Sequence, residues 1–310
     1  MIQFLKNWTL PIAMLVGTVA YLLFARVEML APAKPFIHAL VSFITPWLIF
    51  IQLLLTFCKV ELHELKPKAW HGWLLGIQGA TCLLTAAVLL FIHTNERYVG
   101  LWEGMMVCFI CPTATAAAVI TGKLGGNAAT LITYTLLSNL LGAVMVPLLF
   151  PLVEPHEGLS FWNAFLKILS KVFPLLLAPF FLAQLLRYGA KGIHQWLMEH
   201  SGLAFYIWAV ALALVMGQTA RSLFHSDATV WLVAGGGLAT CLIQFGLGKT
   251  IGSIYHDRIS AGQALGQKNT VLAIWMAATY LHPFATIAPG SYVLWQNIIN
   301  SYQLWKKRKH

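Results

Sequence analysis

Apolar segments recur along the whole chain and are separated by short polar or basic stretches. The hydrocarbon core of a bilayer takes about 20 apolar residues of helix, so a segment of that length predicts a membrane-spanning helix. We predict ten spanning segments, at residues 10–24, 36–58, 70–92, 98–120, 128–153, 174–186, 203–223, 229–248, 259–281 and 283–305. The pattern therefore predicts an all-α integral membrane protein.

The sixth segment leaves two arrangements open. Before Pro174, apolar residues recur at helical spacing, while Asn163, Lys167 and Lys171 lie on the opposite face. This stretch either lies along the membrane interface as an amphipathic helix, or it forms the first half of one long spanning helix that bends at Pro174. Residues 188–200 are basic and partly amphipathic, which predicts an interfacial connector.

The composition agrees with the segment pattern. Hydrophobic residues make up 59% of the chain and charged residues 10%, and the mean hydropathy is +0.73. The core of a soluble domain cannot bury so large an apolar fraction. Because the segments follow one another along residues 1–310, we expect a single membrane domain without a separate soluble one.

The positive net charge of +10 fits a membrane orientation. Lysine and arginine favour the cytoplasmic loops of membrane proteins. With a cytoplasmic N-terminus, thirteen of these residues fall on the cytoplasmic side and at most six on the other, with Lys268 set aside. We therefore predict that both termini are cytoplasmic, and that the charge contacts anionic lipid headgroups rather than nucleic acid.

The fourth and ninth segments each contain a feature that interrupts a helix. In the fourth, Pro112 removes a backbone donor and disfavours the helical conformation for Cys111. In the ninth, the run GQALGQKN contains Gly266 and places Lys268 near the middle of the membrane. A lysine there costs about 2.5 to 3.5 kcal/mol on insertion scales, so its charge must be compensated.

The two interruptions occupy equivalent places in the two halves of the chain. Pro112 and Gln267 are 155 residues apart, which is half of the 310 residues. Five segments per half would invert the second half relative to the first, as in secondary transporters built from inverted repeats. We therefore predict one transporter domain with repeats at residues 1–155 and 156–310. Backbone freed in mid-membrane is tolerated where it lines a cavity or is buried in protein.

The sequence argues against an intramembrane enzyme. Such an enzyme needs acid, base or metal-binding groups in mid-membrane. The eleven histidines lie in loops or near segment ends, and the five cysteines have no metal-binding spacing. We expect no metal or cofactor. His63 and His71, which lie near Glu61 and Glu64, are interpreted as solvated loop residues.

Two long runs resemble the bile acid:sodium symporter family. The first is CPTATAAAVITGKLGGNAA with the following LITYTLLSNLLGAVMVPLL, and the second is GQKNTVLAIWMAATYLHPFATIAPGSYVLWQNI. The resemblance implies that helices 4 and 9 cross at unwound centres near the bilayer midplane, within a core of helices 3–5 and 8–10 that is faced by a panel of helices 1, 2, 6 and 7. It also implies transport of an organic anion by alternating access, in a bacterial inner membrane.

The chain departs from the family at the positions that bind sodium. Sodium-coupled members carry the pattern Glu-x-Gly-x-Gln-Asn in helix 9, where this chain has Ala264 in place of the glutamate and Lys268 in place of the glutamine. Ala117 and Ala118 replace a serine and an asparagine that help to bind sodium in helix 4. Gln78 matches a family glutamine that contributes to a sodium site. Sodium requires oxygen ligands, so these losses predict sodium-independent transport.

We hypothesise that the ammonium group of Lys268 occupies the place of a bound cation. Burial favours the neutral amine, so the same residue could also load and release a proton. Alternatively, Lys268 pairs with the anionic substrate. The predicted crossover and substrate-binding residues are Pro112, Thr113, Thr115, Gly266, Gln267, Lys268 and Asn269.

Three choices remain open at this point. The substrate is a bile-acid-like sterol or a smaller carboxylate, and transport is proton-coupled or uncoupled. A membrane receptor for such an anion, or a symporter that binds sodium through other ligands, is the alternative to a sodium-independent transporter. We expect a monomer.

Overall fold

The computed structural model describes residues 9–27, 32–91, 96–155, 158–223 and 228–309. These residues form α-helices and two short 3₁₀ turns without a named β-strand, which confirms the predicted all-α class. Residue 92, the predicted end of the third segment, lies outside the described residues. The helices are α1 (Thr9–Arg26), α2 (Lys34–Phe57), α3 (Ala69–Phe91), α4 (Glu96–Ile110), α5 (Ala117–Leu124), α6 (Ala128–Val153), α7 (Phe161–Gly189), α8 (Lys191–Glu199), α9 (Leu203–Leu223), α10 (Ala228–Ile254), α11 (Arg258–Gly266), α12 (Thr270–Tyr280) and α13 (Ile287–Lys309); the 3₁₀ turns are Leu62–Glu64 and Pro283–Thr286.

Five helices in the described part of the chain are long and apolar enough to cross a bilayer: α2, α3, α6, α7 and α10. A sixth candidate is the pair formed by α8 and the first part of α9, which is bent by 69°. The chain is therefore a multi-pass membrane protein. α4 and α12 are apolar but shorter, because each is one part of an interrupted segment.

α7 decides between the two arrangements of the sixth segment. It runs without interruption for 29 residues from Phe161, and it continues through Pro174. Ala164, Ile168 and Val172 are buried at helical spacing on the N-terminal half. The amphipathic stretch is therefore the first half of one long helix rather than a separate interfacial helix. The connector that follows, α8, has no buried residue.

The contacts divide the chain into two compact units. Unit 1 comprises Met1–Lys59 and Ala178–Asp227, and unit 2 comprises Val60–Leu177 and Ala228–His310. Each unit therefore combines segments from both halves of the chain, and the division falls within α7.

Unit 1 is held together by close packing of α1 against α9 and by a polar contact at the end of α2. Gly17 contacts the backbone of Ala213 so closely that a side chain would not fit there. The carbonyl oxygen of Cys58 accepts a hydrogen bond from Arg187 Nη2 at 3.0 Å, and His194 Nε2 lies 3.0 Å from the same oxygen. These two side chains stabilise the last turn of α2.

Unit 2 depends on close contacts between α10 and its neighbours. Gly236 meets Leu101 of α4, and Gly237 meets the backbone of Ala288 in α13, whereas Gly235 has open space around it. Helices in membranes commonly approach one another at small residues in this way.

Substituting Gly237 should destabilise the protein. We expect Gly237→Ala to lower the free energy of unfolding by about 1 to 3 kcal/mol, because the added methyl group overlaps the Ala288 backbone. Gly235→Ala is the matched control and should leave stability unchanged or slightly raised, since alanine favours helix. Thermal unfolding of both variants in detergent measures the difference. Equal unfolding temperatures would contradict the contact.

Candidate functional site

The two predicted interruptions are present, and they meet in unit 2. The first lies at residues 111–116, between α4 and α5, and the second at residues 267–269, between α11 and α12. Thr113 and Lys268 form an antiparallel bridge between them. The amide of Ala114 donates to the Gln267 carbonyl at 2.8 Å, and the amide of Asn269 donates to the Pro112 carbonyl at 2.9 Å. Main-chain groups freed by one break are thus satisfied by the other.

Further contacts strengthen this pairing. The thiol of Cys111 lies 3.0 Å from the carbonyl oxygen of Asn269, with Sγ as the donor. The Asn269 side chain accepts from the Leu272 amide at 3.3 Å, so it caps the first turn of α12. Asparagine is a favoured residue at this position of a helix. Gly266 is required at the end of α11, because a side chain there would overlap the ring of Phe245.

The carbonyl groups at the C-terminal end of α4 are capped by side chains from distant segments. The last carbonyls of any helix lack partners within it, and they carry partial negative charge. Four consecutive carbonyls are satisfied here. The pairs are Gln244 Nε2 with Cys108 (3.2 Å), Lys268 Nζ with Phe109 (3.1 Å), and Gln78 Nε2 with Ile110 (2.9 Å) and Cys111 (3.3 Å).

Carbonyl groups at the C-terminal end of α11 are also capped by side chains from other segments. The Thr113 hydroxyl donates to the Ala264 carbonyl at 2.6 Å, and the Tyr292 hydroxyl donates to the Gly266 carbonyl at 2.6 Å. The main-chain amide of Lys268 donates to Gln296 Oε1 at 3.0 Å. Both broken helices therefore end in carbonyls that another part of unit 2 satisfies.

Lys268 is almost completely buried, with 1% of its surface exposed. Within the described ranges it forms no ion pair, and its ammonium group donates to the Phe109 carbonyl oxygen. A carbonyl oxygen at the C-terminal end of a helix attracts cations, both through its lone pairs and through the helix dipole. The lysine thus places a cationic group against an oxygen of the type that metal cations use.

The three alanines that the family resemblance places at sodium-ligand positions pack in or against a hydrophobic cluster. Ala117 and Ala264 are fully buried in it, and Ala118 packs against its edge. Other members of the cluster are Trp70, Leu74, Leu131, Tyr134, Ala261 and Leu265. No oxygen is supplied by the side chains of the three alanines, and their neighbours in the cluster are mostly apolar.

Gln78 is fully buried and uses its amide within the protein. Its Nε2 caps the end of α4, and its Oε1 accepts a hydrogen bond from the Tyr134 hydroxyl at 2.8 Å. Gln78 therefore lies beside the crossover, as the family resemblance implies, and it supports the end of α4 there.

The three polar residues expected to assist the substrate differ in their accessibility. Thr113 and Asn269 are buried and bonded to main-chain groups within unit 2. Thr115 is partly exposed, and the neighbouring Ala116, which directly precedes α5 and provides no side-chain cap, is exposed. The N-terminal end of α5 is therefore the more open part of the crossover.

Sequence reasoning missed several residues that support the site: Ser138, Gln244, Tyr292 and Gln296. Ser138 Oγ accepts from the Thr113 amide at 3.2 Å, and Gln244 Nε2 also donates to the Tyr292 hydroxyl at 3.2 Å. Their signal in the sequence is that each is a polar residue inside a predicted spanning segment, where polar side chains usually face other protein groups.

The histidine interpretation was correct for His63 and wrong for His71. His63 is exposed, and together with Glu61 and Glu64 it forms a cluster whose ligand atoms lie within 4.8 Å of one another. His71 is 1% exposed, because it lies in the first turn of α3, where its Nδ1 accepts from the Lys68 amide at 3.0 Å and its ring contacts Trp70. The absence of a metal remains a prediction.

Comparison with known proteins identifies a transporter family and two similar bacterial proteins. The model of the SBF-like CPA transporter family matches residues 69–299, a range that includes both helix breaks. An uncharacterized sodium-dependent transporter of Bacillus subtilis, YocS, is 26% identical over 286 residues, which cover 86% of this chain and 84% of that protein. Uncharacterized protein PA2026 of Pseudomonas aeruginosa is 25% identical over 224 residues, which cover 68% of this chain and 63% of that protein.

Proposed function

Because the chain belongs to the SBF-like CPA transporter family, we propose that it is a secondary transporter that moves an organic anion by alternating access without bound sodium. Family membership makes the chain a membrane transporter rather than an enzyme. The proposed substrate is a bile-acid-like or smaller carboxylate, and the proposed location is a bacterial inner membrane with both termini in the cytoplasm. We propose that the protein acts as a monomer.

The proposed architecture has ten spanning segments in inverted repeats at residues 1–155 and 156–310. In this arrangement α4 with α5 and α11 with α12 are the fourth and ninth spans, each interrupted in mid-membrane. The hydrogen bonds between the two breaks support a crossing of these spans. The composition of the two units supports a panel made from unit 1 and a core made from unit 2.

The observation that carries the proposal is the contact between Lys268 Nζ and the Phe109 carbonyl. It supports cation replacement over substrate pairing, because the ammonium group is buried and donates to a main-chain carbonyl of the protein itself. A positive charge at this point stabilises the carbonyl end of α4 without sodium. Whether the lysine also exchanges a proton decides between a proton-coupled transporter and a uniporter.

The alanines at the former ligand positions also support sodium independence. A sodium ion in that place would lose most of its oxygen ligands and would contact the apolar cluster around Ala117 and Ala264. The name of the Bacillus relative describes that protein as sodium-dependent. For this reason the alternative, a symporter that binds sodium through other ligands, must be tested directly.

We place the anionic group of the substrate at the start of α5. Main-chain amides at a helix N-terminus and the helix dipole together favour an anion. Thr115 is partly exposed and Ala116 is exposed there, whereas Thr113 and Asn269 are buried.

Uptake into proteoliposomes tests the function. A panel of radiolabelled carboxylates, from small organic acids to bile acids, is presented in sodium chloride, in choline chloride, and with a pH gradient. We expect equal uptake of at least one anion in the two salts, and background uptake in liposomes without protein. Strict sodium dependence would overturn the proposal. Saturable binding without uptake would instead indicate a receptor.

A further inference from the structure

Glu103 is a completely buried carboxyl group that the crossover does not use. It lies on α4, about two turns before the break, and none of its surface is exposed. Its Oε2 accepts a hydrogen bond from the main-chain amide of His282 at 2.8 Å, just after the end of α12. Its Oε1 receives no hydrogen bond from any group in the described part of the chain. A buried carboxylate oxygen without a donor is unfavourable.

A second carboxyl group lies beside the unsatisfied one. Glu154 is the first residue after α6, and its carboxyl group is within hydrogen-bonding reach of the Glu103 carboxyl. Two ionised carboxylates only accept hydrogen bonds, so they repel each other. One proton between them converts this repulsion into a hydrogen bond, and it supplies the donor that Oε1 lacks.

The helices around Glu103 are closely packed. A side chain at Gly100 would come within 2.7 Å of Phe284, and one at Gly104 within 2.6 Å of Ala288. α4 therefore packs closely against the second 3₁₀ turn and the start of α13. Among the side chains that the structure describes, neither glutamate forms an ion pair with lysine or arginine.

The other titratable groups nearby do not supply the missing donor. The Nδ1 atom of His282 accepts from the Phe284 amide at 3.4 Å, and the Tyr280 hydroxyl has no hydrogen-bond partner among the described residues. The other helices that pack on α4 carry the titratable residues His71 and Cys82 (α3), Tyr134 (α6), Cys241 and Lys249 (α10), and Tyr292, Tyr302 and the basic C-terminal residues of α13; Tyr98 and Cys108 lie on α4 itself.

We propose that Glu103 and Glu154 share one proton and form a proton-binding site in unit 2, separate from Lys268. A purely structural anchor for the His282 amide needs one carboxylate oxygen, and it explains neither the free Oε1 nor the neighbouring Glu154. The site adjoins the end of α12, the half-helix that begins next to Lys268, so its proton is linked to the position of that half-helix. This inference does not depend on the proposed substrate or on sodium independence.

Infrared spectroscopy of the purified full-length protein in lipid tests the site. We expect a band from a protonated carboxyl group at neutral pH in the wild type. Glu103→Gln and Glu154→Gln should both abolish it, since each leaves a single carboxylate that accepts from the new amide. Both variants retain the hydrogen-bonding geometry, so they should fold. Glu64→Gln changes an exposed glutamate and should leave the band unchanged.

Two results would overturn the proposal. One is a wild-type spectrum without a protonated carboxyl band at neutral pH, or a band that survives in either variant. The other is loss of the wild-type band on replacing choline chloride with sodium chloride at constant pH, since that would make the pair a sodium site. Uptake measurements are not needed for either result, so failure here is distinguishable from failure of the transport proposal.

Discussion

Replacing Lys268 with methionine is expected to reduce anion uptake at least tenfold. Methionine has nearly the length of lysine but no charge, so the Phe109 carbonyl would lose its donor. The end of α4 would then lack the positive charge that we propose to replace a cation. A buried acceptor without a partner costs about 1 to 3 kcal/mol, which is also enough to lower the unfolding temperature. Uptake per reconstituted protein and thermal unfolding in detergent measure the two effects.

Lys123→Met is the matched control for this experiment. Lys123 is an exposed lysine in the last turn of α5, and its substitution should change neither measurement. Wild-type uptake by the Lys268→Met protein would refute a role for the buried charge in transport. If the wild type responds to a pH gradient and the residual uptake of the variant does not, Lys268 carries the coupled proton.

Restoring the family pattern should create a sodium response. The change combines Ala264→Glu and Lys268→Gln with Ala117→Ser and Ala118→Asn. It returns oxygen ligands to the crossover, and it removes the ammonium group that competes with a cation. Sodium at 100 times its dissociation constant would then stabilise the folded protein by about 2.7 kcal/mol. The measurement is the unfolding temperature in sodium chloride compared with choline chloride.

Two comparisons make this result specific. The wild type and Lys268→Gln alone both lack the carboxylate, and both should unfold at the same temperature in the two salts. A sodium response of the wild type would mean that other ligands bind sodium. If the quadruple variant folds but its unfolding temperature is the same in both salts, these four positions no longer form a sodium site.

The helix breaks could be predicted from the sequence because their causes are local. Pro112 removes a donor, and Gly266 and Lys268 are unfavourable inside a membrane helix wherever the rest of the chain lies. The partners of the broken ends could not be predicted in the same way. Gln244 and Tyr292 reach the crossover from segments distant in sequence, so their roles depend on tertiary packing.

The difference between local causes and tertiary packing also explains why other predictions were less successful. Pro174 is compatible with a helix boundary or with a continuous helix, and only the packing of α7 favours the second. Thr113 and Asn269 are polar residues at the crossover, but sequence does not tell whether such a side chain faces a substrate or a main-chain group. In the described part of the chain, five or six of the ten predicted segments are long and apolar enough to span a membrane, and the fourth and ninth each consist of two short helices, so the count of ten remains a prediction.

The Cys111 thiol gives the native protein a chemical reporter. All five cysteines are buried, and the Cys111 sulfur lies between the two helix breaks, on the Asn269 carbonyl. A thiol-specific alkylating reagent cannot reach that sulfur while the breaks stay paired. The rate of Cys111 modification during turnover would therefore show whether the crossover opens in the transport cycle or moves as a rigid body, without any engineered cysteine.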